Sequence, residues 1–237
     1  MKRVLLSLLG ISVVSACGSS KGPTASNGND NPGGTIGGTG GGSPCTGLPT
    51  VSHGGKTYNT VQIDAQCWLK ENLDVGVMLP AGQAPTNNGS IEKYCYNNDA
   101  AQCATYGGLY SWNEMMAYST TRGGKGICPD GFHVPEQFEF QILGTSLPNT
   151  RGNAVKAVGR GAGGGAGTNT TGFSALLAGM RDKNGAFSNL TYKAFIWTSS
   201  EYYPGVRPDV YLEGDNNSVW FGNTDEPAAL SVRCVKT

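Results

Sequence analysis

The 237 residues contain 17 Lys and Arg against 17 Asp and Glu, so the chain carries no net charge at neutral pH. That balance offers no basic field to a polyanion and excludes nucleic acid as a partner class. Glycine is abundant at 37 residues and 38% of the chain is apolar, which predicts one real core in which irregular structure outweighs helix.

At the N-terminus, Lys2 and Arg3 precede an uncharged stretch from Val4 to Val14. It is long enough for the apolar region of a secretory signal and well short of the roughly 20 residues that a spanning helix needs. The run ends in Val14-Ser15-Ala16-Cys17, which resembles the lipobox of bacterial lipoproteins, with Val14 where Leu is commonest. The resemblance implies a signal peptide over residues 1–16 and a diacylglyceryl thioether on Cys17. Each buried methylene of the acyl chains contributes about 0.8 kcal/mol, so membrane attachment through Cys17 requires no apolar protein segment. The competing reading is an ordinary signal peptide in which the Cys follows Ala16 by coincidence. Removing Lys2 and Arg3 leaves 17 minus 2, or 15, basic residues against 17 acidic ones. No Asp follows Cys17, and similarity to lipoprotein sorting signals then implies the outer membrane of a bacterial cell envelope, with the domain surface-facing.

From Gly18 to Pro44 the chain is Gly, Ser, Thr, Asn and Pro with almost nothing apolar. Such a segment cannot bury enough surface to offset its ordering entropy. Residues 17–44 are therefore read as the lipidated Cys and a flexible tether. Its 27 Gly-rich residues have an expected end-to-end distance of about 30 Å. Residues 45–237 form the expected single domain. Strands are expected at Lys56 to Ile63, Ala194 to Ser199, Val210 to Leu212, Val219 to Gly222 and Leu230 to Val235, rich in β-branched and aromatic residues. Asn184-Gly185 sits where a type I′ hairpin turn would want it, and Gly161 through Gly167 reads as a mobile loop. A helix is expected from Leu109 to near Tyr118, with Leu109, Trp112 and Met116 on one face. A second begins at Pro135, with Glu136 and Glu139 in its first turn and Phe138, Ile142, Phe140 and Leu143 as the buried side. A weaker third covers Asn153 to Val158.

Setting Cys17 aside leaves Cys45, Cys67, Cys95, Cys103, Cys128 and Cys234, an even set in a chain addressed to an oxidising compartment. Three disulfides follow, with 15 pairings open to six Cys. No Cys-x-x-Cys spacing and only two His argue against a Cys/His metal site. Cys128-Pro129-Asp130-Gly131-Phe132-His133-Val134-Pro135 resembles the Fibrobacter succinogenes major paralogous domain family. So do Gln66-Cys67-Trp68-Leu69-Lys70-Glu71-Asn72-Leu73, Gly108-Leu109-Tyr110-Ser111-Trp112, Thr171-Gly172-Phe173-Ser174-Ala175-Leu176, Trp197-Thr198-Ser199-Ser200-Glu201 and Ser231-Val232-Arg233-Cys234-Val235. These motifs stand in the family's order and cover roughly Thr60 to Thr237, with Phe140 where the family has a familiar helix Trp. The family is also distantly similar to C-type lectin-like and formylglycine-generating-enzyme domains. The resemblance implies an α+β, C-type lectin-like fold: a loop-rich, twisted antiparallel sheet with two or three helices and termini close together. It further implies Cys128 bonded to Cys234, a local Cys95 to Cys103 loop, and Cys45 left for Cys67.

The expected function is non-catalytic. Formylglycine-generating chemistry needs a Cys pair around and after the Trp-x-Ser-Ser segment, and Trp197 to Ser231 contains no Cys. A Cys128/His133 nucleophile fails if Cys128 is a disulfide. Glu114, Glu136, Glu139 and Glu201 are the candidate carboxylates of a glycoside hydrolase, the lesser alternative, which requires two of them facing each other. Binding is the better class. Tyr202, Tyr203, Tyr211, Asp215, Asn217, Trp220, Asn223 and Asp225, in loops between Glu201 and Ala229, combine rigid aromatic area with adaptable hydrogen bonding, suited to glycan or protein. Trp68, Trp112 and Trp197 read as core and Trp220 as partly exposed. No cofactor is expected; calcium on Asp215, Asn217, Asp225 and Glu226 is the variant considered, although the motifs of sugar-binding calcium lectins are absent. The alternative to a binding domain is a purely structural envelope or adhesion component.

Overall fold

The computed structural model describes residues 45–145, 151–201 and 203–236. The signal peptide, Cys17, the tether and Tyr202 lie outside them. The chain runs through β1 (Thr50–His53), β2 (Lys56–Ile63), β3 (Gln66–Leu69), β4 (Val77–Met78), β5 (Glu92–Lys93), α1 (Ala100–Tyr106), β6 (Tyr110–Ser111), α2 (Trp112–Met115), β7 (Phe132–His133), α3 (Gln137–Thr145) and α4 (Arg151–Val155). It continues through β8 (Ala178–Arg181), β9 (Phe187–Leu190), β10 (Lys193–Trp197), β11 (Val206–Glu213), β12 (Val219–Asp225), β13 (Ala229–Leu230) and β14 (Val235–Lys236). This is an α+β domain, mostly sheet, with four short helices among the described residues.

One sheet has the order β1-β2-β3-β14-β7 and the other β12-β11-β10-β8-β13-β6, with β9 beside β8; β4 and β5 pair alone. Pairing is antiparallel except between β8 and β10 and between β4 and β5. The first and last strands thus share a sheet. The β1–β2 connection is Gly54-Gly55, both left-handed at φ 56° and 79°, which the two-residue I′ turn requires and other residues resist. Two apolar clusters flank the longer sheet. One gathers Trp112, Trp197, Tyr58, Tyr110 and Met115. The other gathers Trp68, Phe140, Leu143, Phe173, Ile196, Val210 and Leu212.

The disulfides are Cys45–Cys67, Cys95–Cys103 and Cys128–Cys234, so all six sulfurs are covalently paired as the resemblance implies. The family motifs turn out to be structural ties. Trp112 Nε1 donates to Thr198 O at 3.0 Å and Trp197 Nε1 to Tyr110 O at 2.7 Å, cross-linking two motifs. Ser199 Oγ accepts from Gly123 N, and Ser200 Oγ accepts from Gln137 N at the start of α3. The fully buried Arg233 donates to Leu69 O, Phe173 O and Asn72 Oδ1 and lies over the Phe173 ring at 4.4 Å. Burial pushes its pKa down to about 9.

Several local expectations are corrected. Leu109 to Tyr118 is not one helix: β6 occupies Tyr110–Ser111, and α2 ends at Met115 before two left-handed residues, Ala117 and Tyr118. In α3 Phe140 and Leu143 are buried, whereas Phe138 and Ile142 are exposed, because one helical face packs on the sheet and the other meets solvent. The third helix begins two residues earlier than expected and ends at Val155. At Asn184-Gly185 only Gly185 has positive φ. The Asp182 carboxylate instead accepts from Asn184 N and Ala186 N, making a longer turn. His133 Nε2 meets the Glu139 carboxylate at 3.0 Å. Residues 161–167 pack beneath the β11–β12 turn, where a Cβ on Gly165 would come within 2.4 Å of Gly214 O.

Candidate functional site

The segment read as loops from 201 to 229 is chiefly the hairpin β11–β12, with loops only at its ends. Val210 and Leu212 are buried on the side of α3. Strand alternation therefore aims Arg207, Asp209, Tyr211 and Glu213 to the opposite face. Register aligns this column with its neighbours: Lys193 faces Glu213, Phe195 faces Tyr211, and Tyr211 faces Trp220.

An aromatic ladder results across three strands. Tyr211 and Trp220 are stacked at 6.1 Å with 13° between planes, and Phe195 and Tyr211 lie 5.8 Å apart at 32°. Trp220 remains 43% exposed, so its ring is an open surface. Lys193 Nζ lies 5.6 Å from the Tyr211 centroid and pairs with Glu213 at 2.5 Å. This contact raises the lysine pKa and lowers that of the glutamate. Tyr192 donates its hydroxyl to Asp215 at 3.0 Å, which raises the tyrosine pKa.

Further along β11, Asp209 is buried. Its Oδ2 accepts from Thr224 Oγ1 at 2.7 Å, while Oδ1 has no hydrogen-bond partner among the described residues. Desolvation pushes its pKa up to about 6, against the opposing pull of the Thr224 bond. Gly222 makes room for it, since a Cβ there would sit 3.1 Å from Asp209 Oδ1 and 3.2 Å from the Tyr211 ring. Next in the column, Arg207 lies over the Trp112 ring at 3.7 Å, donates Nε to Glu226 at 2.6 Å and pairs with Glu201.

Of the residues singled out in the sequence, Tyr211 and Trp220 come together and Asp215 stands near them at the hairpin turn. Asn217 shares that turn, where its carbonyl accepts from Gly152 N. Asn223 and Asp225 alternate to the other face of β12, and Asp225 pairs with Lys183 at 2.8 Å. Tyr203, 71% exposed, sits at the far end of the hairpin. The four oxygen donors considered for calcium are thereby separated: Asp215 and Asn217 at one end of β12, Asp225 and Glu226 at the other, about 20 Å apart at strand rise. Among the described residues no group of three or more His, Cys, Asp or Glu could hold a metal ion. The four carboxylates considered for hydrolysis are also dispersed. Glu139 caps the entry to α3, Glu136 pairs with Arg122, Glu201 pairs with Arg207, and Glu114 is buried elsewhere. Sequence reading missed Phe195, Lys193, Glu213, Asp209 and Arg207. The expected strand covered only Val210 to Leu212, so the full length of β11 and the cross-strand register that makes these residues one surface were not legible.

Fold and site together define a disulfide-stapled α+β domain presenting an aromatic sheet face. A family model, the Fibrobacter succinogenes major domain, matches residues 61–236, and the chain belongs to that family. No curated protein and no solved structure matches it.

Proposed function

We propose that the chain is an exported, lipid-anchored cell-envelope protein whose domain, C-type lectin-like in fold, recognises glycan without transforming it. The observation that carries this reading is the open, stacked Tyr211–Trp220 pair beside hydrogen-bonding groups. The apolar face of a sugar ring can lie on such a surface, burying apolar area on both sides. Lys193, Glu213 and Asp215 at the margin supply partners for ring hydroxyls. The six paired sulfurs fit an oxidising compartment. Anchoring is carried by the sequence around Cys17.

Glycan-array binding by the full chain, compared with Trp220→Ala combined with Tyr211→Ala, tests the site. Binding that disappears in the double variant supports it; no glycan bound by the parent favours the purely structural role. Metabolic labelling with a palmitate analogue tests the anchor, since Cys17→Ser must abolish incorporation.

A further inference from the structure

β12 is the terminal strand of its sheet, bonded to β11 on one side and to no described strand on the other. It pairs with β11 without a bulge, from Val206 opposite Asp225 to Leu212 opposite Val219. Along such an antiparallel ladder, successive residues turn their N–H and C=O groups to opposite edges. Pro208 O accepts from Thr198 N, on the β10 side, and Gly205 O accepts from Glu226 N, on the β12 side. Arg207, Asp209 and Tyr211 therefore bond to Thr224, Gly222 and Trp220. The backbone groups of Val219, Phe221 and Asn223 point away from the sheet, and none of them meets a partner among the described residues.

A row of unused backbone groups is a template for another strand, and sheets ordinarily blunt it with Pro, Lys, a bulge or a very short edge. β12 carries none of these devices: it is seven residues long and reads Val-Trp-Phe-Gly-Asn-Thr-Asp. Phe221 and Asn223, whose backbone points outward, are both exposed. The one charge on the strand, Asp225, stands at its end and pairs with Lys183 of the same chain.

The edge complements itself. Two copies laid antiparallel about a two-fold axis at Gly222 set Phe221 opposite Asn223 and Val219 opposite Asp225 of the second copy, a register that engages every outward group in roughly six to eight backbone hydrogen bonds. Gly222 then faces its own counterpart in a pair whose Cα atoms approach to about 4.5 Å, with no Cβ between them. Asp225 falls opposite a valine, so no like charges are apposed. Equal numbers of acidic and basic residues leave no net repulsion between copies. We propose that β12 pairs with β12 of a second copy, joining two domains through one continuous sheet. Pairing uses the edge and leaves the Tyr211–Trp220 face uncovered, so it does not rest on the glycan reading. The two faces lie on the same side of the joined sheet, with Trp220 of one copy about 14 Å from that of the other at strand rise and spacing. Seven residues a side bury less than the roughly 1,200 Å² of a standard interface, which makes the dimer a weak one.

The test is sedimentation velocity on the full chain in nonionic detergent, with micelles in large excess over chains, from about 5 to about 500 µM, the range suited to so small an interface. The parent must shift from monomer toward dimer. Amide hydrogen exchange at Val219, Phe221 and Asn223 must slow as concentration rises, while Trp220, Gly222 and Thr224, already bonded to β11, change far less. Asn223→Pro removes an outward N–H and spares the β11 ladder, and Phe221→Lys places on the edge the charge that blunts such strands. Each must weaken association tenfold or more with an unchanged thermal melt; should one variant fail to fold, the other and the exchange pattern of the parent decide. A parent that stays monomeric throughout overturns the proposal. So does a dimer that a folded variant preserves, or one in which the Phe221 and Asn223 amides gain no protection.

Discussion

Asp209 gives the sharpest test of how the hairpin is balanced. Its carboxylate is buried with one oxygen unpartnered, and its pKa is pushed from the ordinary 3.8 up to about 6. The folded chain therefore binds this proton more tightly than the unfolded chain. Below pH 4 both states are protonated and the group is neutral to stability. As pH rises from about 4 to about 7 the unfolded state releases the proton first, and stability falls. The interval from 3.8 to about 6, at 1.36 kcal/mol per pH unit, corresponds to about 3 kcal/mol. Asp209→Asn removes the titration and can retain the Thr224 contact. Relative to the parent it should gain about 3 kcal/mol between pH 4 and pH 8, or about 6–12 °C in Tm for a domain of this size. Thermal melts of both proteins by near-ultraviolet circular dichroism across that range measure the difference, in which Glu114 and other shared groups cancel. Parallel pH profiles would refute the claim that Asp209 is ionised at the expense of the fold.

Arg233→Met leaves Leu69 O, Phe173 O and Asn72 Oδ1 without this donor and should cost about 3 kcal/mol or more, read as a lower urea midpoint. Replacing Cys128 and Cys234 together by Ser opens a separation of 106 residues. Loop-closure entropy gives an upper value of about 4.7 kcal/mol, measurable by denaturation against the parent without reductant. Trp220→Ala removes a ring that is 43% exposed but stacked on Tyr211. Losing its covered part should cost about 2 kcal/mol, less than Arg233→Met, and a loss as large as that of Arg233→Met would mean that the ring is a core support instead of an open surface.

The local features legible in sequence were those with short-range causes. Lys56 to Ile63 reads as a strand from its composition, and the structure gives β2 those bounds. The acidic start of α3 appears as a one-sided cap, Glu139 Oε2 accepting from Glu136 N at 2.8 Å while the Glu136 carboxylate pairs with Arg122. Trp68, Trp112 and Trp197 are buried and Trp220 is not. Cysteine parity implied three bridges, although the pairing came from family resemblance and not from spacing. Where long-range packing chose the outcome, sequence reading missed. Leu109 to Tyr118 has a helical stripe, but pairing of β6 with β13 claims its first residues. Phe138 and Ile142 are apolar yet exposed, because the face of α3 that packs on the core is the one carrying Phe140 and Leu143.

The sequence alone determined the family and the even count of six cysteines besides Cys17, since each depends on residue identity. Only the tertiary structure decided how far β11 extends and which neighbours its alternating side chains meet. Register, set by packing between strands far apart in the chain, stacks Tyr211 on Trp220, shields Asp209 beside Gly222, and sends Asp225 to the other face.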